Sequence, residues 1–152
     1  MTPSRIRATV VADKVELIMR MLDGIAALPL GSESEFLADP RMVAAGESFL
    51  RRALEALFDI GRHVLAKGYG EPAAEYKDIA QRLGQRAVLS ALQAEQLRKM
   101  AGYRNRLVHF YDEVASEELY RILTENLGDV RELLDALRQW IAANPELVDE
   151  SL

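Results

Sequence analysis

Apolar residues recur at three- and four-residue spacing along almost the whole chain, a period that admits helices and little else. Val11, Val15, Ile18, Leu22 and Ile25 keep it until Pro29 and Gly31 end the segment. SESEFLAD then reads as a loop or a single turn. From about Arg41 a longer stripe begins: Met42, Ala45, Phe49, Ala53, Ala56, Leu57, Ile60 and Val64. It stops at Gly68-Tyr69-Gly70. Pro72 suits the first turn of the next helix, which carries Tyr76, Ile79 and Leu83 and closes near Gly84. Ser90-Ala-Leu-Gln93 reads as a capping box opening a helix through Leu92, Leu97 and Met100 to residue 111. Asp112 and Glu113 interrupt the pattern. Ser116 then caps a last helix that ends at Asn144-Pro145.

The reading is all-α: five helices, no strand and no internal repeat. Short connections favour an up-and-down bundle of antiparallel neighbours. A chain of 152 residues is expected to form a single helical domain, 1–152. Its core spans about 10–142, and an acidic tail, 143–152, is expected to fray.

Composition narrows the function classes. The chain has no cysteine, which removes disulfide frameworks and thiolate metal sites. Its two histidines lie far apart in sequence, so no zinc site is expected, and no metal or cofactor is called for. No secretory leader is visible and no run approaches the ~20 apolar residues that span a bilayer. The expectation is a cytoplasmic protein without a membrane partner. The formal net charge of −5 argues against a broad nucleic-acid-binding coat but leaves room for a local basic site. Arg51, Arg52, Arg62, Lys67, Arg98, Lys99, Arg104 and Arg106 supply either such a patch or ordinary solvated helix faces.

One stretch carries chemistry. YRNRLVHFY, residues 103–111, holds two arginines, an asparagine, a histidine and two tyrosines. Setting Arg104 at zero, Asn105 lies at roughly 100°, His109 at roughly 140° and Tyr111 at about −20° around a helix. These four share about half of the surface, while Leu107 and Phe110 point towards the expected core. Such a front has what cleavage of an RNA phosphodiester needs. Histidine exchanges protons near neutral pH, arginine grips two phosphate oxygens, and asparagine orients either group. The RNA 2′-hydroxyl supplies the nucleophile, so no metal is required. Because Arg104 and His109 are about 140° apart, a single copy is awkward. Two chains paired across a two-fold axis would put two arginines and two histidines in one groove, so a homodimer is part of this reading.

Arginine and histidine on a helix front also suit other roles. A non-catalytic module binding a nucleotide or a partner, or a plain oligomerisation helix, would use the same residues. Tyr103 and Arg106 are candidate RNA contacts, Tyr103 by stacking on a base. Asp59 and His63 are four residues apart on the second helix: a structural pair, or, for Asp59, a residue that orients the groove from behind.

Residues 104–111, Arg-Asn-Arg-Leu-Val-His-Phe-Tyr, resemble the signature of the HEPN superfamily, and the tyrosine two places after the histidine points to its HepT-like branch. The resemblance extends over roughly 10–142. It includes Ile-Gly-x-His in a long helix, a Pro-led helix with a tyrosine, and Met-Ala-Gly-Tyr leading into the motif. It implies a helical bundle, a homodimer and a metal-independent endoribonuclease, the toxin of a type VII-like toxin–antitoxin pair. Arg104 and His109 would be the catalytic pair with Asn105 supporting them. The partner implied is a minimal nucleotidyltransferase (MNT) antitoxin that transfers AMP onto Tyr111. The motif is intact.

Overall fold

In the computed structural model, which describes residues 4–108 and 115–151, the helical period is realised almost wherever it is written. Helix α1 spans Ala8–Ala26, α3 Pro40–His63, α4 Tyr76–Gln85 and α5 Ala91–Val108. A single helical run from Ser116 to Ala143 comprises α6 (Ser116–Arg121), a wider π-helical turn (Ile122–Asn126) and α7 (Leu127–Ala143). These are the five expected helices. The all-α bundle is confirmed.

Four local differences have physical reasons. SESEFLAD forms a six-residue helix, α2 (Glu33–Ala38), because Ser32 accepts the Glu35 amide at its start and Phe36 is wholly buried. Asp39 ends it and in turn accepts the Arg41 amide at 3.0 Å, opening α3 at Pro40. Pro72 does not start α4, which begins at Tyr76. The intervening carbonyls of Ala73 and Ala74 are taken by the Arg62 guanidinium at 3.2 and 3.3 Å, so side-chain bonds satisfy them in place of helical ones. Ser116 is the first helical residue rather than a cap, and Glu117 and Glu118 in the first turn suit the positive helix end.

The acidic tail is not frayed along its length. β1 (Ile6–Arg7) pairs in parallel with β2 (Val148–Asp149), in register Ile6 with Val148 and Arg7 with Asp149. Ile6 is fully buried against the π-helical turn Val64–Gly68 that prolongs α3, and the Ser4 amide donates to the Lys67 carbonyl at 2.9 Å. Burial of one isoleucine thus ties both chain ends to α3.

The core is centred on α3, which packs along α1 and meets α4, α5 and α7. Leu50, Leu54, Leu57, Phe58 and Ile60 are all buried on it. Gly61 lets α4 approach closely: a Cβ there would stand 2.8 Å from Leu83 Cδ1. Gly70 takes φ 66° just after the helix end, the left-handed conformation that glycine adopts freely. No helix among the described residues is long and apolar enough to cross a membrane.

Candidate functional site

The capping box at Ser90 forms as read. Ser90 N donates to Gln93 Oε1 at 2.9 Å and Gln93 N donates to Ser90 Oγ at 3.1 Å. This sets where α5 starts, and the buried Leu97, Met100, Ala101 and Leu107 set which way it faces. Relative to Arg104 those four lie at roughly 20°, −40°, 60° and −60°. Arg104 therefore sits inside the buried stripe, in the place where a leucine would continue it. The expected division into an apolar back and a polar front is corrected here: Arg104 belongs to the core side, and Asn105 to the border.

That position explains the surroundings of the guanidinium. The Arg104 side chain is 23% exposed. Nη2 donates to Glu55 Oε2 at 3.4 Å, and Nη1 to Asn105 Oδ1 at 3.5 Å. Nε is buried without a hydrogen-bond partner among the described residues. The cation lies 4.6 Å from the centroid of the Tyr76 ring, which stacks on buried Phe58 at 4.6 Å. Ring and carboxylate together hold a charge that burial would otherwise penalise. Glu55 is itself steadied by Arg51 at 2.7 Å. One hydrogen remains on each terminal nitrogen of Arg104, the fork that two phosphate oxygens accept.

A groove of about 460 Å³ opens beside this arginine, lined by Arg62, Ala74, Glu75, Tyr76, Lys77, Arg104 and Asn105. Its size is that of pockets which take small ligands. Arg62 is fixed by Asp59 at 2.9 Å and lies 5.7 Å from the Tyr76 centroid, so Asp59 reaches the groove through Arg62. Asp59 also pairs with Lys14 at 3.1 Å. The expected Asp59–His63 pair does not form. His63 Nε2 accepts the Arg7 amide at 2.9 Å instead. Burial, then the positive charges of Lys67 and Arg7, hold the imidazole below its ordinary value.

Arg106 lies on the outer side of α5, while Tyr103 flanks the buried stripe and packs against the core. Arg106 stacks on Tyr103 at 5.2 Å and pairs with Glu118 at 2.5 Å. The basic patch is largely neutralised, because Arg51, Arg62, Arg98, Arg104 and Arg106 each have a carboxylate partner. Acidic residues are interleaved with the basic ones. His109 and Tyr111, the interruption at Asp112 and Glu113, and the helix beyond Val108 fall outside the described residues.

Two residues that brace Arg104 at the groove, Glu55 and Tyr76, escaped the sequence reading in this role. Glu55 and Tyr76 come from helices distant in sequence, and no local pattern announces them. Arg104's burial was legible, since it continues the spacing of Leu97, Met100 and Ala101.

The fold and groove define a helical bundle with a part-buried arginine presented at a polar cleft. The profile of the Ribonuclease HepT-like family matches residues 15–137, and the chain belongs to that family. It is 26% identical over 122 residues to a tRNA nuclease HepT of Aphanizomenon flos-aquae, covering 80% of this chain and 82% of the relative. Over 130 residues it is 25% identical to an mRNA nuclease HepT of Shewanella oneidensis, covering 85% and 96%. In fold it is similar to a tri-AMPylated HEPN toxin of Shewanella oneidensis solved in complex with an MNT antitoxin. There the TM-score is 0.78, with 24% identity over 86% of this chain and 97% of that one. It is also similar to a chain of a toxin–antitoxin complex solved with AMP-PNP, at a TM-score of 0.77 and 23% identity over 84% and 97%.

Proposed function

We propose that this protein is a metal-independent endoribonuclease, acting in the cytoplasm as the toxin of a type VII-like toxin–antitoxin pair. The observation that carries the reading is Arg104: a cation held inside the buried stripe of α5 by Glu55 and Tyr76, with its fork at the wall of a groove. A buried, braced guanidinium needs no reorganisation when charge develops on a phosphate, which is the condition for strong electrostatic stabilisation. Membership of the HepT-like family and two relatives named as nucleases support the choice of RNA.

In this mechanism His109 takes the proton of the 2′-hydroxyl, whose oxygen bonds to the phosphorus. The bond from phosphorus to the 5′-oxygen breaks, and a second His109 from the paired chain, or water, returns a proton to that oxygen. Arg104 holds the scissile phosphate and Asn105 supports both groups. The products are a 2′,3′-cyclic phosphate and a 5′-hydroxyl. Silencing follows when an MNT antitoxin directs the Tyr111 hydroxyl onto the α-phosphorus of ATP, releasing pyrophosphate and leaving AMP on the tyrosine. The added phosphate would attract Arg104, and its bulk would exclude RNA.

The test compares RNA cleavage by wild type, Arg104→Ala and His109→Ala, with the ends of the fragments mapped. Loss of one braced donor is expected to lower the rate on the order of 10²–10³-fold. Intact mass after treatment with an MNT enzyme and ATP should rise by whole AMP units, localised to Tyr111, and cleavage should stop. Fragments ending in 3′-hydroxyls would refute the mechanism. A wild type that binds nucleotide or partner and never cuts RNA would assign the groove to a binding module instead.

A further inference from the structure

A second groove, of about 550 Å³, lies on the other side of Asn105, between the start of α4 and the outer face of α5. It shares two wall residues, Lys77 and Asn105, with the groove that presents Arg104, so the two adjoin. Its charges are Lys77, Lys99, Arg106 and Glu118. Arg106 and Glu118 neutralise one another. Lys77 and Lys99 are exposed and enter no ion pair among the described residues, unlike the arginines around them. Lys77 on α4 and Lys99 on α5, which form no ion pair among the described residues, therefore line a furrow that adjoins the one at the arginine. Gly102 also lines it, and an added Cβ there would meet nothing within 4 Å. A glycine inside a helix is unfavourable relative to alanine, and here its missing side chain widens the furrow.

We propose that this second groove is a substrate subsite, in which Lys77 and Lys99 hold the phosphates of single-stranded RNA next to the one at Arg104. The inference rests on the ribonuclease reading and adds where the strand runs. A single strand gripped at one phosphate must continue past it, and its flanking phosphates need cations that are not already paired. The residues named in the motif as RNA contacts take a different role: Arg106 is committed to Glu118 and Tyr103, so the lysines carry the backbone contacts.

The test uses Lys77→Glu, Lys99→Glu, the double variant and Gly102→Leu, each checked for an unchanged helical spectrum and thermal midpoint. Two substrates are compared, a dinucleotide with a single phosphodiester and an octanucleotide. For the octanucleotide the double variant should raise KM on the order of tenfold with kcat nearly unchanged. The slope of log affinity against log salt should fall by about 0.7 for each lysine. Gly102→Leu should raise the same KM by filling the furrow. Cleavage of the dinucleotide should not change in Lys99→Glu, whose lysine lines only the second groove.

Equal losses on both substrates, or no loss on the octanucleotide, would overturn the proposal. So would variants that bind RNA normally and fail to bind the nucleotidyltransferase partner, since the groove would then be a protein interface. If wild type cuts neither substrate, the ribonuclease reading fails separately. Fluorescence anisotropy with the same octanucleotide then still decides whether the lysines bind it.

Discussion

Helices α3 and α5 both run through the bundle, yet they spend their residues differently. α3 is long and buries Leu50, Ala53, Leu54, Ala56, Leu57, Phe58 and Ile60, most of one face and part of the flanks. α5 buries four residues of its eighteen and places Arg104 in the middle of that row. One helix organises the fold, and the other accepts a poorly satisfied guanidinium where a leucine would pack. A buried Nε without a partner among the described residues costs about 1–3 kcal/mol where nothing else satisfies it. The difference shows how the chain tolerates it: the cost is local, and α3 supplies both the carboxylate that offsets it, Glu55, and the phenyl ring, Phe58, on which Tyr76 stacks.

The comparison breaks if core and site turn out to be equally important for stability. Leu57→Ala is expected to have the largest effect, a loss of about 2–5 kcal/mol through lost burial and the cavity left behind. Denaturant unfolding measures it, and a loss well under that range would mean that α3 is not the organiser. Arg104→Ala, the variant expected to lower cleavage on the order of 10²–10³-fold, should change stability by less, within about 1 kcal/mol. It removes an ion pair and a ring contact but also an unsatisfied buried donor, and these terms oppose one another. A destabilisation as large as that of Leu57→Ala would place Arg104 among the structural residues.

The smallest effect concerns His63, which belongs to the structural half of the molecule, whereas His109 is assigned to the chemistry. In the folded protein the His63 imidazole is held below its ordinary value, first by burial and then by Lys67 and Arg7. The unfolded chain therefore binds a proton that the folded protein resists. The associated stability is complete above about pH 6.5 and is lost as pH falls through the depressed value. Protonation also removes Nε2 as acceptor for the Arg7 amide. Stability followed from pH 7.5 downward should decline more steeply in wild type than in His63→Gln. Identical profiles would show that the histidine does not secure the paired chain ends.

Much of the fold was readable along the chain. The apolar period placed five helices, the Ser90-Gln93 box placed the start of α5, and the intact motif pointed to the family that the profile match then established. The signal of α2 is also present, in Ser32 followed three residues later by Glu35, but a six-residue helix is too short for an apolar period to show. All of these are local signals. Capping bonds, turn residues and i,i+4 spacing act within a few residues, so they are written in the order of the sequence.

What only the tertiary structure decided is who meets Arg104. Glu55 lies 49 positions away on α3, and Tyr76 comes from α4. The same holds for the extended segment before Tyr76, pinned by Arg62, and for the tail drawn into a strand beside Ile6. Each depends on how helices cross and which ends come together. Periodicity assigns a residue to a face, but it does not say which charge on another helix that face will meet.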